Sequence, residues 1–323
     1  MLSYFTALLG FMHICILGAG VMGVTTAFYL AQSGYRITVF DQQTEVAAEA
    51  SFGASLLALP SVALTPTSMT HSLAQYSRMC MNRLEQPLPM LCRDFTATMT
   101  KKAKQMGVRF RFGYELECLK SLGGHTVSAQ LKAVIPRNQG QISCQADAFV
   151  LAAGMNSRDI LKKQGLILPV KGLKGCSFTL THHLNGERFN CSYPWVDTER
   201  GLIANWQSNT VCFSIFETQP NAKLRVNEQA REKLRSIAIN HGLSSKQVDE
   251  GMFWSGVAST TPDGLPYIGP THQPNIYVNI GHGAFGASLA CGSSQLLADI
   301  ISDRPTEIER YPYRIDRSFT IIV

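Results

Sequence analysis

The sequence has little that points to metal or nucleic-acid binding. Its nine cysteines contain no C-x-x-C pair and no zinc-ligand spacing, which argues against a zinc site and favours free thiols in a reducing compartment. Its 29 basic and 23 acidic residues give a net charge of +6, but the basic residues are scattered and form no stripe. We therefore expect no metal site and no nucleic-acid partner.

Charged residues are also missing from one stretch near the N-terminus. No Asp, Glu, Lys or Arg lies between Tyr4 and Tyr35, and by hydropathy alone this stretch favours a membrane helix. Residues 1–11 lack the basic region and cleavage site of a secretory signal. We interpret them as an N-terminal extension that precedes Met12, with contact to a membrane surface as the alternative.

Three glycines inside this stretch favour a soluble fold over the membrane helix. Residues 13–17 have the composition of a buried strand, and residues 21–32 have the pattern of a helix packed on a sheet. In a dinucleotide-binding turn of this kind, Gly18 permits the tight bend, Gly20 lets the backbone approach a pyrophosphate, and Gly23 allows close packing of helix and sheet. The pyrophosphate would lie at the positive end of the helix dipole.

The second predicted strand, YRITVFD, supplies a carboxylate for the same nucleotide. It ends at Asp41, eighteen residues after Gly23, where a carboxylate accepts hydrogen bonds from ribose hydroxyls. A carboxylate at this position repels a 2′-phosphate, which argues against NADP. Further along, AFVLAAG at 148–154 is predicted as a buried strand whose small last residues, Ala153 and Gly154, admit a ligand or another backbone segment.

The C-terminal third contains a second glycine-rich turn, from Gly281 to Gly286, which follows the strand NIYVNI and opens a long helix. A nicotinamide enzyme with one nucleotide fold needs one such turn. FAD is long enough to use two, because a helix N-terminus near its ring stabilises the negative charge that the reduced flavin carries. The two turns together favour FAD, and an NAD-dependent dehydrogenase is the alternative.

In these and other segments the chain resembles the FAD-dependent D-amino acid dehydrogenase (small subunit) family, within the glycine oxidase and D-amino acid oxidase group. The most specific of the matching segments are FWSGVASTTPDGLPYIG and IGHGAFGASLACGSSQLLADIIS. The others are ILGAGVMGVTTAFYL, EASFGA, AQYSRMCMNRL, KQMGVRFRFGYELECL, ADAFVLAAG and LKGCSFTL, in family order.

The resemblance implies an α/β fold with a Rossmann-like FAD-binding domain and a smaller antiparallel-sheet (α+β) substrate domain. The FAD-binding domain is expected over 12–58, 92–165 and 257–323, and the substrate domain over 59–91 and 166–256. The implied activity is oxidation of the Cα–N bond of a D-amino acid or related amine by hydride transfer to flavin N5, which yields a 2-oxo acid and ammonia.

The resemblance also assigns site residues in this sequence. Beyond the first turn, the implied cofactor contacts include Ser51 beside the pyrophosphate and Leu116 at the adenine. We assign no catalytic residue, because His282 lies between two glycines and is expected only to hold its loop. The full predicted cofactor set is Gly18, Ala19, Gly20, Val21, Met22, Gly23, Asp41, Gln42, Ser51, Leu116, Ala153, Gly154, Gly281, His282, Gly283 and Gly286.

Two departures from the family concern the substrate. The family places an Arg before the T-P-D-G turn to bind the substrate carboxylate, and this chain has Ala258 there; loss of such a pair removes about 2–5 kcal/mol of binding. The middle of the chain is also shortened, near 85–90. Lys174 or Lys171 is a candidate replacement cation, and Tyr193, Trp195 and Trp206 are candidates for an aromatic wall.

Three hypotheses follow. The first is an active D-amino acid or amine dehydrogenase, whose electrons pass to an acceptor such as a quinone. The second is a protein that binds FAD without amino acid turnover, because Ala258 replaces the Arg, and the third is the NAD-dependent enzyme. We expect a cytoplasmic location, with peripheral contact at the inner face of the membrane as an alternative for a quinone-linked enzyme.

Overall fold

The structure is a computed structural model that describes residues 12–53, 68–84, 91–122, 126–135, 138, 140–181, 195–197, 202–207, 210–218 and 228–317. The predicted extension at 1–11, the shortened segment at 85–90 and Tyr193 lie outside the described residues.

Strands and helices alternate in the N-terminal part, and strands dominate the middle. The strands are β1 (His13–Leu17), β2 (Arg36–Asp41), β3 (Arg109–Phe112), β4 (Tyr114–Ser121), β5 (Val127–Ala133), β6 (Gln141–Ala146), β7 (Ala148–Leu151), β8 (Lys171–Thr181), β9 (Trp195–Asp197), β10 (Leu202–Gln207), β11 (Thr210–Thr218), β12 (Met252–Thr260), β13 (Tyr267–Pro270) and β14 (Ile276–Ile280). The helices are α1 (Val21–Gln32), α2 (Ala50–Gly53), α3 (Ser68–Asn82), α4 (Cys92–Gln105), α5 (Asn156–Lys163), α6 (Glu228–Asn240), α7 (Ser245–Glu250) and α8 (Gly286–Ile301), with short 3₁₀ helices at Gly283–Phe285 and Tyr311–Tyr313.

The main sheet has the strand order β13-β14-β7-β1-β2-β3. Five of its strands run parallel to one another, namely β14, β7, β1, β2 and β3. The edge strand β13 pairs antiparallel with β14. Residues 14–17 of β1 are buried, as expected for a central parallel strand covered on both faces. The carboxyl ends of β1, β2 and β7 therefore meet at one edge, where parallel α/β sheets bind ligands.

Two antiparallel sheets complete the fold. One has the order β12-β8-β11-β10-β9, and the other has the order β4-β5-β6. Together with the parallel sheet, they confirm the predicted α/β class with an additional antiparallel sheet. One face of the five-stranded sheet packs on α6 and α7 through a cluster that includes Phe178, Phe213 and Leu234. Its other face borders the candidate site described below.

The charge-free stretch near the N-terminus is, where it is described, a strand and a core helix. Residues 21–30 of α1 are all buried, and α1 packs in one cluster with α3, α4 and α8. Among the residues that the structure describes, one helical stretch, Gly283–Ile301, is long and apolar enough to cross a membrane by length and composition, but 67% of its apolar window is buried inside the protein. Burial of this extent is typical of the core helix of a globular domain.

Packing does not follow the predicted domain boundaries everywhere. Leu73, Tyr76 and Cys80 of α3, a helix within the predicted substrate segment 59–91, lie in the cluster formed by α1 and α8. Strand β12 runs through the boundary at 256/257 and stays paired with β8 up to Thr260. The boundaries themselves stay a prediction.

Candidate functional site

The first glycine turn has the backbone geometry of a tight strand-to-helix turn. Gly18 has φ +110°, a conformation that favours glycine. A Cβ at Gly18 would lie 2.5 Å from the Ala152 carbonyl oxygen, and one at Gly23 would lie 1.8 Å from the Gly18 oxygen. Side chains are therefore excluded at both positions, so the backbone of the turn can lie close to β7 and to a ligand.

The N-terminus of α1 faces a small polar side chain. The N-cap residue is Gly20, which has no capping side chain, and the Val21 N–H donates a hydrogen bond to Ser51 Oγ at 2.9 Å. The first N–H groups of a helix lack partners within the helix and favour an anion. Ser51 thus lies where an oxygen of a pyrophosphate would accept the same hydrogen bonds.

Asp41 at the end of β2 fixes the glycine turn as well as facing the cavity. Its Oδ2 accepts from the Ala19 N–H at 2.5 Å and its Oδ1 from the Gln43 N–H at 2.8 Å. Burial raises the pKa of the Asp41 carboxyl, and these two N–H groups act in the opposite direction. The carboxylate retains acceptor capacity for a ribose hydroxyl.

The second glycine turn is held by the end of β12. Thr260 forms an isolated antiparallel bridge with His282, and the Gly281 N–H donates to Ser259 Oγ at 3.1 Å. Gly283 has φ +60°, and a Cβ there would lie 3.2 Å from Thr260 Oγ1. The turn passes through a 3₁₀ turn into α8, as the sequence predicts for a loop that opens a helix.

One cavity of about 840 Å³ connects the two glycine turns. Of the predicted site residues, those that line it are Gly18, Gly20, Val21, Met22, Asp41, Gln42, Ser51, Leu116, Ala153, Gly154, Ala258, His282, Gly283 and Gly286. Four predicted residues lie outside this lining: Ala19, Gly23, Gly281 and Lys174. The first three act through backbone geometry in the turns, whereas Lys174 requires a separate explanation.

Lys174 lies outside the cavity lining, although Gly175, Cys176 and its cross-strand partner Val257 belong to it. Successive side chains of β8 point to opposite faces of the sheet. Phe178, four residues after Lys174, packs in the cluster under α6 and α7. Lys174 is 5% exposed and pairs in register with Val257. The role of Lys174 as a replacement for the missing Arg stays a prediction. Lys171, the other candidate, is exposed and also outside the lining.

The other candidates for contact with the substrate are Ala258, whose side chain is described, and Trp195 and Trp206. Ala258 faces the cavity from β12, where it pairs with Leu173. Trp195 and Trp206 belong to β9 and β10, but their side chains lie outside the described part. Trp254 and Phe216, which sequence reasoning did not select, supply aromatic side chains to the lining instead.

His282 is buried and neutral. It is 6% exposed, and its Nε2 lies 2.9 Å from Ser293 Oγ. Burial lowers the pKa of its imidazole to about 3. His282 is therefore uncharged near neutral pH, and its contact with Ser293 holds the loop.

This burial predicts a pH dependence of stability. Between pH 6.5 and about 3 the unfolded chain protonates His282 and the folded chain does not, so stability falls as the pH falls, by about 1.4 kcal/mol per pH unit. Replacement of His282 by Asn is expected to remove this component. Urea unfolding of both proteins at pH 7 and pH 5 measures it; equal pH slopes in the two proteins would contradict the assignment.

Asn279 is a cavity residue that sequence reasoning missed. It lines the cavity near the end of β14, is 1% exposed, and donates from Nδ2 to Thr26 Oγ1 at 3.0 Å. Its Oδ1 is buried without a hydrogen-bond partner among the described residues. Such an atom needs a partner, and a ligand in the cavity can supply one. An Asn inside the apolar run NIYVNI was the signal for it.

Comparison with known proteins identifies the family. The family described as DAO, FAD dependent oxidoreductase, matches residues 13–92 and 90–300. The chain belongs to the DAO family of FAD-dependent oxidoreductases. Its cofactor is FAD, and the cavity fits this cofactor in three respects: two turns whose glycines bring the backbone to the cavity, a helix N-terminus at the first turn, and the unpaired Asn279 oxygen. The predicted class of enzyme and the cofactor are thereby confirmed.

One relative of this DAO-family chain is a dehydrogenase of D-amino acids, as its name states. A D-amino acid dehydrogenase of Allorhizobium ampelinum is 25% identical over 437 aligned positions, which cover 95% of this chain and 98% of the relative. Since this chain has 323 residues, the relative contains segments that this chain lacks. This difference agrees with the shortened middle inferred from the sequence.

Solved structures share the fold of this DAO-family chain. Glycine oxidase from Geobacillus kaustophilus superposes with a TM-score of 0.79 at 18% identity, over 96% of this chain and 100% of the other. L-Amino acid deaminase from Proteus myxofaciens gives 0.74 at 15% identity, over 96% and 94%. Iminodiacetate oxidase from Chelativorans sp. BNC1 gives 0.73 at 16%, over 94% and 98%. These likenesses confirm the fold alone.

The described residues offer no site for a metal ion. Among the residues that the structure describes, no group of three or more His, Cys, Asp or Glu is placed to hold a metal ion.

Proposed function

We propose that this flavoprotein oxidises the Cα–N bond of a D-amino acid or related amine. The substrate loses a hydride from Cα and a proton from nitrogen to the solvent. Water then hydrolyses the imine to ammonia and a 2-oxo acid, or to ammonia and an aldehyde or ketone where the amine has no carboxylate. Bound FAD supplies the two-electron acceptor for the hydride. The proposal rests on one observation. A cavity joins the two glycine turns to the face of the five-stranded sheet that contains Gly175 and Gly256.

The chain's own residues position the reactants and exclude water. Strands β8, β11 and β12 supply one wall of the cavity, and the loop that contains His282 and Gly283 supplies another. Because burial lowers the pKa of His282 to about 3, we propose no proton-transfer role for it. The catalysis we propose is therefore orientation of Cα toward the flavin without a side-chain base.

Electron transfer to an external acceptor such as a quinone is part of the proposal. The name of the Allorhizobium relative, a dehydrogenase, supports an acceptor other than oxygen. We propose a cytoplasmic protein that makes peripheral contact with the inner face of the membrane when it delivers electrons. Reduction of a soluble quinone analogue by the protein in the presence of vesicles tests this electron transfer.

Ala258 supports a second candidate function, an FAD-binding protein without amino acid turnover. It lines the cavity at the position where the resemblance expects a carboxylate-binding Arg, and a methyl group makes no ion pair. The two candidates differ in one result, which is whether an amino acid or amine reduces the bound flavin.

Anaerobic addition of substrates to the purified yellow protein tests the proposal. We expect the flavin band to bleach with at least one member of a panel of D-amino acids, glycine, sarcosine and simple amines. If no member bleaches it while dithionite does, the second candidate is favoured.

Replacement of Ala258 by Arg is expected to strengthen binding of substrates that carry a carboxylate. A bidentate charge-assisted pair in a desolvated cavity contributes about 2–3 kcal/mol, so KM for a D-amino acid should fall about thirtyfold or more. Ala258→Met is the matched control, because it adds length without charge. Equal KM values for the Arg and Met variants would show that position 258 does not face the carboxylate.

A further inference from the structure

The cavity face of the five-stranded sheet has a pattern that the proposed function does not explain. In register across the strands, Phe216 of β11, Gly175 of β8 and Gly256 of β12 form one row. The next row contains Ser214, Ser177 and Trp254. All six line the cavity. The first row thus has the aromatic ring of Phe216 beside two glycines, which have no side chains.

The two glycines leave room for aromatic rings to lie over the strands. A Cβ at Gly256 would lie 2.0 Å from Cη2 of Trp254, and a Cβ at Gly175 would lie 3.0 Å from Cε1 of Phe216. Each ring therefore covers a glycine, where any other residue would push it away from the sheet. The result is a flat apolar surface on the cavity wall, which we call the aromatic platform (Phe216 and Trp254 over Gly175 and Gly256).

The platform is supported from the side. The Trp254 indole lies 6.2 Å from the Phe52 ring, centroid to centroid, with the planes tilted by 35°. The Arg93 guanidinium lies 5.4 Å from the Phe52 ring centre. The Phe52 ring therefore flanks the Trp254 indole, which lies over Gly256.

Ser177 adds one polar atom to this apolar wall. The residue is 2% exposed, pairs with Trp254 across the strands, and its Oγ has no hydrogen-bond partner among the described residues. A buried hydroxyl without a partner is destabilising, because it has lost its hydrogen bonds to water. A ligand that lies on the platform and presents a polar group to Ser177 removes this cost.

We propose that the aromatic platform binds a flat apolar side chain of the substrate and that the Ser177 hydroxyl hydrogen-bonds to a polar group of the same molecule. The inference rests on the proposed function and names its substrate class: aromatic amino acids or arylalkylamines. Stacked or edge-to-face rings attract each other beyond the burial of their area, which gives the site a preference for aryl over cycloalkyl groups.

Binding of redox-inert ligands to the holoenzyme tests the inference without turnover. The probes are phenylacetamide, cyclohexylacetamide and acetamide, which share one polar group, and phenylacetate, which adds a charge. Perturbation of the flavin absorbance gives Kd for each. We expect phenylacetamide to bind about three- to tenfold more tightly than cyclohexylacetamide and more tightly still than acetamide. Equal affinity for the two ring compounds overturns the platform.

The charged probe separates the two substrate sources. Tighter binding of phenylacetate than of phenylacetamide supports an aromatic amino acid, whereas the reverse order supports an arylalkylamine. Binding of neither aryl probe at millimolar concentration overturns the proposal.

Variants identify the contact residues. Trp254→Leu is expected to weaken phenylacetamide binding about tenfold and to leave acetamide binding within about twofold. Phe253→Leu is the matched control, because Phe253 is the next residue on β12 and packs on the other face, against Phe178. An equal loss in both variants would show that the effect is only structural.

Ser177 is tested by removal and rescue of its hydroxyl. Ser177→Ala is expected to weaken binding of every amide probe about three- to tenfold, and Ser177→Thr is expected to restore it. Unchanged affinity in Ser177→Ala overturns the role of the hydroxyl. These readouts need only FAD and a ligand, so a protein that shows the aryl preference but whose flavin no substrate bleaches contradicts the proposed function and not the platform.

Discussion

Replacement of Gly18 by Ala is expected to abolish FAD binding. The Cβ would lie 2.5 Å from the Ala152 carbonyl oxygen and 2.8 Å from the Ala153 Cα, both backbone atoms. Neither strand can move without breaking the pairing of β1 with β7, so the turn must open where the pyrophosphate binds. We expect the purified variant to be colourless, with the affinity for added FAD reduced by about a hundredfold or more.

The control for this variant is Gly34→Ala in the same βαβ unit. Gly34 has φ +94°, but a Cβ there would meet no atom within 4 Å. Gly34→Ala therefore carries the cost of a left-handed backbone, about 1–2 kcal/mol, without the collision. We expect it to lower Tm and to retain FAD. A yellow Gly18→Ala protein with native FAD affinity would show that the turn does not lie against the cofactor.

Replacement of Arg317 by Met is expected to destabilise the protein strongly. The Arg317 side chain is 3% exposed, and its Nε and Nη2 donate to the two carboxylate oxygens of Asp263 at 2.8 and 2.9 Å. Nη2 also donates to the Leu265 carbonyl at 2.6 Å. Its guanidinium lies 4.0 Å from the Tyr267 ring centre. Removal leaves the Asp263 carboxylate without its cation, at a cost of about 3–5 kcal/mol.

Arg314→Met is the matched control for this loss. Arg314 pairs with Asp316 at the surface, with both side chains about half exposed, and such pairs contribute about 0–1 kcal/mol. Urea unfolding of the two variants should therefore separate them by several kcal/mol. Similar free energies of unfolding would contradict a structural role for Arg317.

The same pair predicts a loss of stability in acid. Burial acts to raise the pKa of the Asp263 carboxyl, but the hydrogen bonds and charge of Arg317 outweigh it, and the pKa is lowered below its usual 3.8. The folded state thus binds the proton less readily than the unfolded state. Stability from this group is complete above about pH 4 and is lost as the pH falls below it. Arg317→Met should lack this acid-range component.

The parts of the site that follow from local sequence were predicted, because their chemistry depends on a few neighbouring residues. The spacing of Gly18, Gly20 and Gly23 and the acid at Asp41 specify a turn and its nucleotide without tertiary information. The turn from Gly281 to Gly286 is equally local. The structure adds that both turns border one cavity, which no local pattern contains.

The parts that were missed depend on register and on long-range contacts. Lys174 is next to Gly175 in sequence but lies outside the cavity lining, and the sequence alone does not show which positions of β8 reach the cavity. Arg317 and Asp263 are 54 residues apart. The unpaired Ser177 hydroxyl is recognisable only once its neighbours on β11 and β12 are known.

The central claim is that the two glycine turns bind opposite ends of one FAD molecule. Titration of the apoprotein with FAD and with ADP, which lacks the flavin ring, tests it in three proteins: wild type, Gly18→Ala and Gly283→Val. We predict one FAD per chain in the wild type, loss of both ligands in Gly18→Ala, and about tenfold weaker FAD binding with unchanged ADP binding in Gly283→Val. Unchanged FAD affinity in Gly283→Val, or equal losses of FAD and ADP there, would contradict the claim.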